Sequence, residues 1–417
     1  MTADGPPATA DGHWFDVGGV RLPRPFKIRR LGHFGVNVTD LPAAVDFYTR
    51  ELGYRVADYN YAYRRLPPEQ QARFKNVEAR GHFLRYGTDH HAFVLFSKPV
   101  MDLLAGPKPG ITVNQITWQV GSLAEVVNAH EWFRSQGMPV ERAGRDMPGS
   151  NWHSYPVDTE GHINELYYGI EQIGWDGRSK PTQLHDLKLR ESPRLPQPSE
   201  EAEVEAARER GIDLGTGMRH ADLGSTGEEY DVDGVLLPRP FKIVRQGPVR
   251  LFVHDIEATT DYYQRVLGLQ VTQQVTYQGH TCVFLRCGTE HHSIALYPMP
   301  LRAQLGLSDR TTLLAFGVAV ANYRQLRQAA SFLRRRGHDL VDLPGELFPG
   351  MDYCFHVRDP DGHLIQFHHY LQQVPPATGQ LAGQSLAAVT TAPHTWPETI
   401  AARPDTYGGE VFLGPWG

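Results

Sequence analysis

Apolar and polar positions along the chain switch between a period of two and a helical period, and the same succession runs four times. "LGHFGVNV" is a short apolar run that reads as a strand. Asp40 then stands at a helix start, Val45, Tyr48 and Leu52 fall at helical spacing, and Gly53 supplies the stop. "HFLRYGTDHHAFVLFSKP" follows as two strands joined by a turn. A second unit repeats the plan, with "NQITWQV" as strand, "LAEVVNAHEWFRSQGMPV" as amphipathic helix and "NWHSYPVDTEGHINELYYG" as the closing strand pair. The later half says the same again through "QGPVRLFVHDIEATTDYYQRVLGL", "CVFLRCGTEHHSIALYPMP", "LLAFGVAV", "YRQLRQAASFLRRRGHDL" and "DYCFHVRDPDGHLIQFHHY". Asp255 opens its first helix, Tyr262 and Val266 hold the helical spacing, and Gly268 closes it.

The repeat extends upstream. "DVGGVRLPRPFKI" at Asp16–Ile28 returns as "DVDGVLLPRPFKI" at Asp231–Ile243, differing only at Gly18/Asp233 and Arg21/Leu236. Such internal repetition fixes the architecture before any detail does. The expectation is an α+β protein of four βαβββ units, paired into two domains. Residues 1–28 form a lead segment, 29–171 the first domain, and 172–243 a linker that carries the second lead. Residues 244–371 form the second domain and 372–417 a C-terminal extension. The linker is rich in Pro, Glu and Arg, and "PSEEAEVEAARERG" predicts a solvated helix capped by Ser199. Aromatic and Gly/Pro content in "TYGGEVFLGPWG" predicts a docked extension.

Composition narrows the functional classes. At 417 residues with 41% apolar content, the chain can build two cores. A net charge of -6 provides no basic stripe for nucleic acid. The three cysteines, Cys282, Cys287 and Cys354, lack both an even count and metal-type spacing, which argues against a disulfide framework or a zinc site. The first residues do not have the form of a signal peptide, and no apolar run approaches membrane length. The expectation is a cytoplasmic protein without nucleic-acid or membrane partners.

Four such units, with "HH-x-x-x-L" strands and a "D-x-x-G-H-x-x-E" ending, resemble the vicinal oxygen chelate superfamily. The two-domain form is similar to type I extradiol ring-cleavage dioxygenases. The resemblance implies that each pair of units curls a mixed sheet around a cavity. It also implies a divalent metal, usually Fe(II), on a His from one unit's first strand, a donor from the next unit's first strand and a Glu from its last. Those positions are His33, Gln115 and Glu165. Two nitrogen donors and a carboxylate on one face of Fe(II) leave room for a chelating substrate and O2. Gln115 replaces the expected second histidine and offers an amide oxygen, so Mn(II), Zn(II) and Ni(II) enter beside Fe(II). The fourth ligand of glyoxalase I would fall near Val94 and is missing. The resemblance further implies catalytic roles for Tyr155, ten residues before Glu165, and for His153. Tyr155 would hydrogen-bond oxygens at the metal, and His153 would move a proton near neutral pH.

The second half serves as an internal control. At the three ligand positions it carries Pro248, Leu313 and Gln366, so only the first half is expected to bind metal. His90-His91 and His162 recur there as His291-His292 and His363, which assigns them structural duties. Asn37 and Gln119 share strand parity with His33 and Gln115 and are candidates for substrate contact. The implied activity is oxidative ring cleavage of a catechol- or hydroquinone-like aromatic with O2. Two alternatives stand beside it: a metal-dependent isomerase, lyase or cyclase that does not use O2, and a small-molecule-binding protein without chemistry. A homo-oligomer stays open.

Overall fold

The computed structural model describes residues 13–145, 149, 151–174, 176–181, 183–184, 191–219, 227–374 and 389–401. A small hairpin of β1 (Phe15–Val17) and β2 (Val20–Leu22) precedes the first sheet. That sheet comprises β3 (Arg30–Val38), β4 (Arg55–Asn60), β5 (Gly81–Arg85), β6 (Phe93–Ser97), β7 (Val113–Gln119), β8 (Val140–Arg145), β9 (Trp152–Pro156) and β10 (Asn164–Tyr168). A second hairpin, β11 (Tyr230–Val232) and β12 (Val235–Leu237), leads into β13 (Ile243–Val253), β14 (Gln270–Tyr277), β15 (His280–Arg286) and β16 (Ile294–Pro298). The chain then continues through β17 (Leu313–Val320), β18 (Leu340–Val341), β19 (Cys354–Arg358) and β20 (Leu364–His368).

The strand orders β4-β5-β6-β3-β7-β10-β9-β8 and β14-β15-β16-β13-β17-β20-β19-β18 are the same permutation. In each unit the first strand lies parallel to the last, as β3 does to β6 and β7 to β10. The two units of a sheet meet where β3 runs antiparallel to β7, and β13 to β17. The protein is therefore α+β, with four βαβββ units making two curled eight-stranded sheets.

Helix ends follow the local chemistry. Asp40 and Asp255 accept the amides of Ala43 and Ala258, and Ser122 and Asn322 accept those of Glu125 and Gln325. The linker helix Glu200–Glu209 begins at Ser199, whose hydroxyl accepts from Ala202 N–H. In the C-terminal extension, Trp396 is buried against Tyr323, Tyr353 and Phe355; the "TYGGEVFLGPWG" ending lies outside the described residues.

One hydrophobic cluster runs through both halves, with Phe316 stacked on Phe93 and packed against Phe34. The lead segments explain their own repetition. Phe26 fills the first half's core beside Trp132 and Phe133, and Phe241 fills the second's beside Phe332 and Phe367. The arginines between the prolines cross over. Arg239 donates to the Arg50 carbonyl, at the end of the first half's helix, and Arg24 donates to the Gln264 carbonyl of the second. A cation there satisfies orphan carbonyls and complements the helix dipole. Gly53 and Gly268 have positive φ, and a Cβ at either would collide with the visiting arginine.

The twin histidines of the closing turns also bridge the halves. His162 bonds Asp158 at 3.1 Å and Thr312 at 2.8 Å, while Tyr263 donates to the same Asp158. The mirror set joins His363 to Asp359 at 3.1 Å and to Thr112 at 2.9 Å, with Tyr48 donating to Asp359.

The halves diverge between their second and third strands. β14 and β15 are joined by the two residues Gln278 and Gly279, both at positive φ, as a tight hairpin demands. The corresponding stretch of the first half, residues 61–80, is an excursion with two short 3-10 turns and the helical turn Pro68–Gln71. It packs Ala62, Leu66 and Ala79 against Val100.

Candidate functional site

Strand alternation puts His33 and Gly35 of β3, Gln115 and Thr117 of β7, Glu165 and Tyr167 of β10, and His153 and Tyr155 of β9 on the concave face. Phe34, Val36, Ile116, Trp118 and Leu166 point the other way into the core. Glu165 is completely buried, at 0% exposure. Its Oε2 lies 3.0 Å from His33 Nε2 and accepts from Gln115 Nε2 at 3.1 Å. Its Oε1 accepts from Asn151 Nδ2 at 2.6 Å, and His153 Nδ1 stands 3.9 Å away. Burial pushes this carboxyl up, but the charges of His33, His153 and Arg142 and the hydrogen bond with His33 outweigh it and hold it below its ordinary range. The acid is ionised.

His33 is locked from several sides. Its ring packs against His91 at 4.3 Å and Tyr167 at 5.0 Å between centroids, and its carbonyl accepts from Thr117 Oγ1 at 2.6 Å. A Cβ at Gly32 would collide with Tyr167, so that glycine lets the phenol lie against the strand just before His33. His91 is fully buried, and burial with the charges of His33 and His90 drives its pKa well down, so it stays neutral. Tyr155 packs edge-on to His153 at 4.6 Å with the Arg142 guanidinium over its ring. Phe83, Val94 and Phe96 form an apolar wall on the same concave side, with Met101 packed against them.

All five residues singled out from the sequence thus lie on one face, but contact with Glu165 differs among them. His33 and Gln115 touch it, His153 is adjacent, and Tyr155 packs against His153. The substrate-contact candidates are engaged elsewhere: Gln119 accepts from Arg30 Nε, and Asn37 accepts from Asn114. Asn151 was not anticipated. The run Asn151, His153, Tyr155 at every second residue is the signal that would have found it.

Among the described residues, no group of three His, Cys, Asp or Glu side chains converges for a metal. A cation site on this face would need a donor outside that set, and Gln115 is the amide that stands beside His33 and Glu165. One imidazole nitrogen, one amide that presents its oxygen when turned, and one ionised carboxylate suit a divalent first-row cation. The His33 Nδ1 is buried with no partner among the described residues, so the ring's one engaged nitrogen is the one facing Glu165.

The second half has the same frame and different chemistry. Gly35 lies opposite Gln115, and Arg250 opposite Ala315. The counterpart of Gln115 is therefore Ala315, where Leu313 was expected; Leu313 matches Val113 across from Val36 and Leu251. Glu165 pairs with Thr117 as Gln366 pairs with Gly317. Pro248, Ala315 and Gln366 offer no ligand set. The concave face is filled instead by Phe252, Phe284, Leu347, Phe348 and Met351, with Arg250 among them.

Residues 30–166 and 245–367, more than half of the chain, match the family model described as the Glyoxalase/Bleomycin resistance protein/Dioxygenase superfamily. The chain belongs to that superfamily. A 2,2',3-trihydroxybiphenyl dioxygenase of Sphingomonas paucimobilis is 25% identical over 120 residues, 29% of this chain and 39% of that relative. Among solved structures, a catechol 2,3-dioxygenase superposes with a TM-score of 0.53 at 18% identity, covering 88% of this chain and 96% of that one. The Mn(II)-bound glyoxalase from Novosphingobium aromaticivorans gives 0.53 at 15% identity, covering 92% and 98%. These structural likenesses establish the fold. Among the described residues no helix is long and apolar enough to cross a membrane.

Proposed function

We propose that the first concave site holds a divalent cation, Fe(II) before Mn(II), Zn(II) or Ni(II), on His33, Gln115 and Glu165. The reaction proposed is oxidative cleavage of a catechol- or hydroquinone-like aromatic ring with O2. The observation that carries it is the convergence of His33 and Gln115 on one fully buried, ionised carboxylate beside an apolar wall. When bound, the cation supplies Lewis acidity and a template for vicinal oxygens, and as Fe(II) a route for electrons to O2.

The chain's own residues do the rest. Glu165 brings the negative charge that draws a cation in. Asn151 fixes one of its oxygens and leaves the other toward His33 and Gln115. Phe83, Val94 and Phe96 exclude water and match a flat ring. His153, buried and 3.9 Å from Glu165, takes a hydroxyl proton from substrate in this reading and returns it later. Tyr155 donates its hydroxyl to substrate oxygen.

One observation favours a second reading. An amide donor at Gln115 binds a harder cation than a second imidazole would, which suits an isomerase, lyase or cyclase that stabilises an enediolate without O2. Elemental analysis of anaerobically purified protein, with oxygen uptake on a catechol panel, tests the first reading. Metal-free folded protein would sink both enzymes; turnover without O2 would select the second.

A further inference from the structure

The second cavity carries an unmatched positive charge. Arg250 stands where the first half keeps Gly35, and its side chain is completely buried, at 0% exposure. Among the described residues its donors meet neutral groups, the Tyr297 hydroxyl among them. Nη1 reaches the Pro248 carbonyl at 3.4 Å, Nη2 reaches His292 Nε2 at 3.1 Å and Met351 Sδ at 3.8 Å, and Phe348 lies under the guanidinium. Nε has no partner. Among the described residues no carboxylate pairs with it.

The surrounding groups cannot supply the missing charge. His292 accepts from Arg250 at Nε2, so its proton sits on Nδ1 and points to His291 Nδ1 at 2.9 Å. His291 in turn donates from Nε2 to Gln273 Oε1 at 2.8 Å. Both rings are thereby fixed as neutral tautomers, and burial and Arg250 depress their pKa values, His291 to about 3. Burial pushes the Cys354 thiol up to about 12, so no thiolate forms. Gln366 and His356 meet through their Nε2 atoms at 3.1 Å, which leaves His356 Nδ1 and Gln366 Oε1 unused. If the amide is turned, the unused donor moves to Gln366 instead. Either way a donor is left over beside a buried cation.

An uncompensated buried charge is costly, and such charges are neutralised by a partner ion. We propose that the second cavity binds a small monovalent anion, of the size of chloride, against the Arg250 guanidinium. One cation calls for one negative charge, and a small ion asks the least rearrangement of the apolar side chains packed around Arg250. Pro248 and His292, both in contact with Arg250, also line a groove of about 610 Å³ between the halves, which gives the ion a way in. In this arrangement the first cavity collects a cation on a carboxylate, and its duplicate collects an anion on a guanidinium.

The test uses the full chain at fixed pH and ionic strength, with chloride or bromide replacing gluconate, a monovalent anion too bulky for the site. The wild-type melting temperature should rise saturably, by about 3 °C or more, as halide replaces gluconate. Arg250→Met, which keeps length and loses charge, should show no halide dependence. An equal halide response in both proteins, or none in the wild type, overturns the proposal. Should Arg250→Met fail to fold, bromide-soaked wild-type crystals decide it. An anomalous peak within hydrogen-bond distance of Arg250 supports the site, and water alone at saturating bromide overturns it.

Discussion

The two concave faces of this protein are built from the same strand permutation, yet one is centred on a buried anion and the other on a buried cation. In the first, Gly35 contributes no side chain, and Glu165 meets His33 and Gln115 in the space left free. In the second, Arg250 rises from the equivalent position, Gln366 replaces the carboxylate, and Phe348 and Met351 close over them. The interface histidines His162 and His363 and the exchanged arginines Arg24 and Arg239 are common to both. What the halves share keeps them together, and what they do not share is the chemistry. His162 and His363 are present in both copies and join the halves, whereas His33 has Pro248 as its counterpart.

Six substitutions sharpen or break this contrast. Glu165→Ala should lower metal affinity by more than about 100-fold, exceeding the loss from removing a supporting group; metal content by elemental analysis reads it. The mirror change Gln366→Ala should leave metal content unchanged. Phe348→Ala should cost about 3–5 kcal/mol of stability in denaturant unfolding, because it empties a packed face. Phe83→Ala, on the open face, should cost less stability and instead weaken binding of an aromatic ligand. Asn151→Ala should reduce metal affinity about 10-fold to 100-fold while the protein stays folded.

The smallest effect concerns an asymmetric clamp between the halves. Glu51 binds Arg336 at 2.7 Å and 3.0 Å, whereas its repeat counterpart is Val266. Burial alone would raise this carboxyl, but hydrogen bonds from His338 and Arg336 pull it down to about 2. A depressed acid stabilises the fold above its unfolded pKa of about 4.3, and the benefit fades as pH falls toward 2. Glu51→Gln should therefore lose about 1 kcal/mol at neutral pH, discounted for the partly exposed arginine. Unfolding curves of variant and parent should converge in acid.

Much of this was legible in the letters. The repeat made the number of units and their order along the chain legible, and the two sheets carry the same strand permutation. That His33, Gln115 and Glu165 meet could be read from three distant positions that change together in the other copy. The counterpart of Gln115 needed the strand pairing, which sets Ala315 and not Leu313 opposite Arg250. Arg250 was invisible for a different reason. Against Gly35 it looks like any surface substitution, and only its burial reveals a charge inside the second concave face. The bridging role of His162 and His363 was equally hidden, since hydrogen bonds between distant halves follow no local period.

The crossed arginines of the lead segments have a consequence for how the chain comes apart. Each helix end is finished by a residue that belongs, by sequence, to the other copy, so neither copy expressed alone can complete its own first helix. A chain cut within residues 191–198, ahead of the linker helix, would leave each fragment holding the plug for its sibling. Such fragments should be poorly folded apart and recover when mixed, which makes the duplicated protein a natural split pair.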